Sequence, residues 1–306
     1  MPHSLRRPLS SRAAAARPAA RSLAALPSRR AVGLTALAGS AALGLAACGV
    51  GGSGSGSGGA SDGGGDTHIK VASHLPPMTD VVTTAAEVAA EEGYTVELVQ
   101  VSDNVQYNRL LADGEVDANF AQHEPYMTTF NEENGTELVK LAAIYDAKVG
   151  YYSKAYSDVE EIPEGAKVAI PNDVSNEGRA LAILHEHGLL SLPDDAGFEG
   201  RIADIVDNPL DLEFVQVDLL NLASAYDEDG IALVYNYPTY ISKVGLTPAD
   251  ALLLEETVDQ RFAISLVARE DNKDSAKIQA LQRAMTSDTV RAFLEDEHSE
   301  TLLPSF

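Results

Sequence analysis

Arg179 is the residue of this chain best placed to do chemistry. It stands in the first turn of an expected helix, where a cation opposes the helix dipole and gains nothing locally. Two readings follow. Either the guanidinium meets an anion, helped by the free backbone N–H groups of the same helix start, or it forms a surface pair with Glu177 or a nearby Asp. Histidines offer a second chemistry. His74 and His123 both follow apolar strands and would meet in a cleft, where two imidazoles plus carboxylates suit zinc. A hydrogen-bonding cleft histidine is the simpler reading, and no resident metal is expected. His185 and His187 are two apart on a helix and diverge. Rings recur around the expected strand ends, at Tyr107, Phe120, Tyr126, Tyr145, Tyr151, Tyr152, Tyr235 and Tyr237. Core packing accounts for rings by default, but rings plus one arginine suit a small zwitterion with an apolar side chain. The sequence contains no Walker loop or HExxH, and the GxGxxG and GxSxG spacings occur only inside the Gly/Ser run over 49–66, which lacks a strand before it and any Lys-Ser/Thr after it. Nothing ties Ser73 or Ser175 to a His and an acid, so neither an enzyme nor a cofactor is expected.

The elements that must position these residues alternate between short apolar strands and helical patterns. Around Arg179 the sequence gives a strand over 168–170, a break at Pro171 and a polar loop over 172–176 rich in possible N-caps. A helix then runs to Gly188, placed as a left-handed C-cap. Other strands are expected over 69–72, 95–101, 116–120, 138–144, 149–153, 212–217, 231–235 and 262–268. Helices are expected over 78–92, 105–112, 125–133 and 219–225, with one long amphipathic helix over 275–295. Two such sets predict an α/β chain with a ligand cleft between two lobes. Lobe 1 is expected over 69–148 plus 239–306, and lobe 2 over 149–238.

Residues 1–47 read as an export signal: seven arginines, no acid, then an Ala/Gly/Leu-rich run too short and weakly apolar to span a membrane. Ser28-Arg29-Arg30 resembles a twin-arginine signal, with Val32 where such signals usually carry Phe. Leu45-Ala46-Ala47-Cys48-Gly49 resembles a lipobox, which implies a diacylglycerated Cys48 at the mature N-terminus and an anchor in the membrane. Cys48 is the only cysteine, which excludes an intramolecular disulfide. Residues 49–66 are almost all Gly and Ser, a flexible tether. Without the 7 leader arginines, Lys+Arg falls from 22 to 15 against 46 acids, a mature charge near −31. Such a surface repels nucleic acid, and nucleic-acid binding is excluded.

Several segments in order resemble the methionine-binding lipoproteins of bacterial ABC importers, the NlpA-type family. They are Asp117-Ala118-Asn119-Phe120-Ala121-Gln122-His123-Glu124-Pro125-Tyr126, Val168-Ala169-Ile170-Pro171-Asn172-Asp173, Asn176-Glu177-Gly178-Arg179-Ala180-Leu181, Gly245-Leu246-Thr247-Pro248-Ala249 and Arg269-Glu270-Asp271-Asn272-Lys273-Asp274. The resemblance covers about 69–306. It implies a two-lobed periplasmic-binding-protein-like fold and an extracytoplasmic lipoprotein that delivers an amino acid, L-methionine first, to an ABC permease and its ATPase. It implies that Arg179 binds the ligand carboxylate, that His123 and Tyr126 line the pocket, and that Asn236 holds polar groups, with Tyr237 the alternative under a one-residue insertion. Asn176, Phe120, Tyr107 and His74 complete the expected ligand set. Two departures bear on the ligand. Tyr107 replaces a ring usually found earlier in its loop, and Ala121 stands where an aromatic usually precedes Gln-His, with Phe120 one place before it and so on the opposite strand face. Another amino acid, a small methionine-containing dipeptide, a metal ion at His74 and His123, or a surface lipoprotein without transport function are the alternatives.

Overall fold

The computed structural model describes residues 66–306. The expected signal peptide, the lipidated Cys48 and the tether up to residue 65 lie outside the described residues. In chain order the elements are β1 (His68–Ser73), α1 (Met78–Glu91), β2 (Thr95–Gln100), α2 (Gln106–Ala112), β3 (Ala118–Gln122), α3 (Glu124–Asn134) and β4 (Leu138–Ala147). There follow β5 (Gly150–Tyr152), β6 (Lys167–Pro171), α4 (Val174–Glu186), β7 (Glu213–Val217), α5 (Leu222–Ala225), β8 (Ile231–Asn236), α6 (Pro238–Ile241) and β9 (Leu253–Leu254). The chain ends with β10 (Ile264–Arg269), α7 (Ala276–Met285), α8 (Asp288–His298) and β11 (Leu302–Pro304).

These strands make two sheets. The first is six-stranded, β11-β4-β10-β3-β1-β2, and the second five-stranded, β7-β6-β8-β5-β9. Parallel pairing of β1 with β2 and β3, and of β6 with β7 and β8, requires helical crossovers, which α1, α2, α4 and α5 supply. The inner strands read as continuous apolar runs because both faces are covered: every residue of β3 is buried, as are Val168 to Pro171 of β6. The carboxyl ends of β3, β6 and β8 each lead directly into the residues singled out above, the crevice position where open α/β sheets bind ligands.

Three expectations change. The second sheet includes β9, so the chain does not return to the first lobe at 238/239. It returns between Leu254 and Ile264, because Leu253 and Leu254 pair with Tyr151 and Gly150. The long helix over 275–295 is two, since the Ser287 hydroxyl accepts from the Val290 amide at 3.3 Å and starts a new helix. Strand β6 extends through Pro171, which sits in register with Val217 at the strand end, where a missing N–H costs no central ladder bond.

Gly178 fixes how α4 docks. A Cβ there would fall 1.9 Å from the Phe198 carbonyl oxygen. Gly178→Ala is therefore expected to cost about 1–3 kcal/mol through forced displacement of that loop, read as a lower urea midpoint at constant m-value.

Candidate functional site

The site begins with the cap of α4. Asp173, not a ligand, satisfies the helix start: its Oδ1 accepts from the Asn176 amide N at 3.0 Å and from Ser175 Oγ at 3.0 Å. The expected open anion site at this helix N-terminus is thus already filled by a carboxylate. Asp173 also accepts from Asn176 Nδ2, 3.0 Å to each oxygen, which fixes that amide and aims its Oδ1 away. Onto this Oδ1 converge the Tyr237 hydroxyl, donating at 2.7 Å, and His123 Nε2 at 3.2 Å. His123 Nδ1 accepts from the Tyr126 amide at 3.2 Å, so the proton lies on Nε2 and donates to Asn176. This bond joins the loop after β3 in one lobe to α4 in the other.

Arg179 stands behind this wall. It is fully buried. Nε donates to Glu255 Oε1 at 2.9 Å and Nη2 to Oε2 at 2.6 Å, a bidentate pair. Nη2 also donates to the Ala147 carbonyl at 3.2 Å, and Nη1 to the Tyr237 hydroxyl at 3.1 Å. The Phe262 ring lies 4.4 Å from the guanidinium carbon. Glu177, the partner considered from the sequence, instead accepts from Ile202 N and Gln216 Nε2. Ala147 ends β4 on the first connection between the sheets, and Glu255 follows β9 on the second. The Glu255 amide donates to the Val149 carbonyl at 3.0 Å, tying the two connections together. Arg179 therefore bonds to both connections between the sheets and, through Tyr237, touches the pocket wall.

In front of the wall is a narrow, mostly apolar cavity. Tyr107, Tyr126, Tyr145, Tyr237 and Tyr240 form most of its sides, with Met78, Ala121, Leu219 and Ile264. Its polar lining includes Asn104, Gln122, His123, Asn176 and Thr239. Burial raises the pKa of the Tyr107, Tyr126, Tyr237 and Tyr240 phenols, so these remain neutral hydroxyls. Burial penalises the charge on Arg179, but the Tyr237 and Tyr235 oxygens and the Glu255 carboxylate outweigh it and raise its pKa.

Of the expected ligand set, His123, Tyr126, Asn176 and Tyr107 meet on this cavity. Four others do not line it. Arg179 lies one layer back. Asn236 is buried as the last residue of β8, its Oδ1 accepting from the Tyr237 amide and its Nδ2 without a partner. Strand alternation gives the wall position to Tyr237. Phe120 is buried edge-on against Tyr145, centroids 5.8 Å apart, while Ala121 faces the cavity. His74 lines a separate cavity with Gln100, Ser102 and Lys243, which also removes the paired-histidine metal site. Among the described residues no group of three or more His, Cys, Asp or Glu is arranged to hold a metal. Three further residues carry no local signal in the sequence: Glu255 and Phe262, whose partners are far along the chain, and Tyr240, which α6 presents one turn after Tyr237.

His123 carries a pH prediction. Burial first, then the Arg179 charge, pull its pKa down to about 3, against an Asn176 bond that raises it. The unfolded chain binds a proton near pH 6.5 and the folded one does not, so stability is full above about 6.5 and falls as pH drops toward 3, by about 1.4 kcal/mol per pH unit for this group. Urea unfolding across pH 4–7 is expected to show a shallower slope for His123→Gln than for the parent.

Comparison with known proteins shows the family and the fold. A family model described as NlpA lipoprotein matches residues 69–306. The D-methionine-binding lipoprotein MetQ of Salmonella typhimurium is 37% identical over 224 residues, 73% of this chain and 83% of that protein. A YaeC-family lipoprotein from Enterococcus faecalis is 44% identical with a TM-score of 0.72, over 79% of this chain and 100% of that one. A nutrient-binding protein from Burkholderia cenocepacia, solved bound to methionine, is 31% identical with a TM-score of 0.73, over 78% of this chain and 100% of that one. The two-lobed α/β fold anticipated from the sequence is the fold of these relatives, and the chain belongs to the NlpA lipoprotein family.

Proposed function

We propose that this protein captures methionine outside the cytoplasm and hands it to the permease and ATPase of an ABC importer, held at the membrane by a lipid on Cys48. One observation carries the reading: a ring-lined apolar cavity between two lobes ends on a polar wall backed by a buried arginine. An apolar side chain fits among the tyrosines. The α-carboxylate is placed at the Asn176–Tyr237 wall and meets the Arg179 guanidinium behind it once the Tyr237 hydroxyl swings off Asn176; four of the five guanidinium N–H groups are occupied and the fifth has no partner among the described residues. Sulfur–ring contacts contribute only about 0.3–1.5 kcal/mol each, so they tune preference, while the charge-backed carboxylate site decides binding. The names of the MetQ relative and the methionine-bound Burkholderia protein support methionine over other amino acids.

Mass spectrometry of small molecules released from denatured, freshly purified protein tests the ligand, followed by titration calorimetry with both enantiomers of methionine. Methionine in the released fraction and saturable binding are expected. Release of a dipeptide or of a different amino acid would redirect the assignment, and binding of neither enantiomer would refute it.

A further inference from the structure

Glu255 carries no local signal in the sequence, yet its carboxylate lies against the central cation. Its side chain is 3% exposed and that of Arg179 0%, and the two make a bidentate pair. A guanidinium buried this deeply without a counter-charge would be strongly unfavourable in the empty protein. The same guanidinium reaches the cavity wall through the Tyr237 hydroxyl. Glu255 also sits on the second connection between the sheets and is tied by its amide to the first.

From these contacts we infer that Glu255 is the resident counter-ion of the ligand site. It occupies Arg179 while the cavity is empty and competes with the incoming carboxylate for the guanidinium. It thereby holds affinity below what an unpaired arginine would give. This rests on the reading that a ligand carboxylate is drawn to Arg179. Glu255 is a positioning residue: it touches the arginine and not the cavity. Because its backbone belongs to that connection, any slackening of the pair as ligand arrives is felt where the lobes are joined. A purely structural ion pair would behave differently, since weakening it would loosen the site and weaken every ligand alike.

The test compares the parent protein with Glu255→Gln, which is nearly isosteric and removes only the charge. Calorimetry with methionine should show at least about fivefold tighter binding in the variant, since the ligand carboxylate then becomes the sole counter-ion. In parallel, melting temperatures are measured in sodium formate and in sodium chloride at equal ionic strength. Formate should raise the melting temperature of Glu255→Gln over chloride and leave the parent unmoved, because a free carboxylate can fill the lost role. Should Glu255→Gln not fold, Glu255→Asp, which keeps the charge but withdraws it by one methylene, should shift methionine binding the same way by a smaller factor. Equal or weaker methionine binding in the variant that folds overturns the inference. If the parent itself binds no methionine, the proposed function fails, while the formate comparison still decides whether Glu255 serves as a replaceable counter-ion.

Discussion

Arg179→Ala is expected to weaken methionine binding by at least about 2 kcal/mol, roughly thirtyfold, and to destabilise the protein by about 3–5 kcal/mol. The two effects have different origins. The binding loss follows from removing the positive charge behind the Asn176–Tyr237 wall. The stability loss follows from leaving Glu255 buried with no cation, which is far costlier than losing both members of the pair. The double variant Arg179→Met with Glu255→Leu is accordingly expected to recover most of the stability and none of the binding. Urea unfolding and calorimetry on the same samples separate the two quantities. Full affinity in a folded Arg179→Ala protein would remove the arginine from the site.

Asn176→Leu is expected to be the second most damaging change, at about 2–4 kcal/mol of stability, with methionine binding lost in parallel. The side chain is close to Asn in size but cannot accept. Its loss strands the Tyr237 hydroxyl and the His123 N–H, each of which now donates to Asn176 Oδ1, and deprives Asp173 of an amide donor. An unsatisfied buried donor costs about 1–3 kcal/mol, which sets the range. Because the His123 bond spans the two lobes, the variant should also show faster amide exchange at the ends of α4 and β3, measurable by mass spectrometry. Parent-like exchange there, together with parent-like stability, would mean the shared acceptor holds nothing together.

Much of this was legible in the sequence, for local reasons. The strand–loop–helix at Lys167 to Gly188 announced itself through an apolar run, a proline, an Asp cap and a C-terminal glycine, and the glycine does take a positive φ of 74°. His123 caps α3 and Asn176 sits in the first turn of α4, and both entered the expected ligand set with the family resemblance, not from the local pattern alone. What stayed hidden depends on long-range pairing. Glu255 meets Arg179 across 76 positions of chain, in a stretch whose two-residue strand is too short to show periodicity. Of the two sequence expectations for Arg179, a ligand anion or a surface pair with Glu177 or a nearby Asp, the structure shows neither: the guanidinium is buried against Glu255 of the same chain. Phe120 and Asn236 were placed one position away from the residues that line the cavity, since a strand turns a single-residue slip into a change of face. Ser287 looked like one more polar position on a helix until its hydroxyl was seen to cap the next one.

A crystal structure of the protein grown with methionine tests the site most directly. The ligand should lie among Tyr107, Tyr126, Tyr145 and Tyr240, with its carboxylate against Asn176, the Tyr237 hydroxyl and Arg179. Methionine seated elsewhere, or reversed so that its sulfur faces Arg179 and its carboxylate the tyrosines, would contradict the assignment.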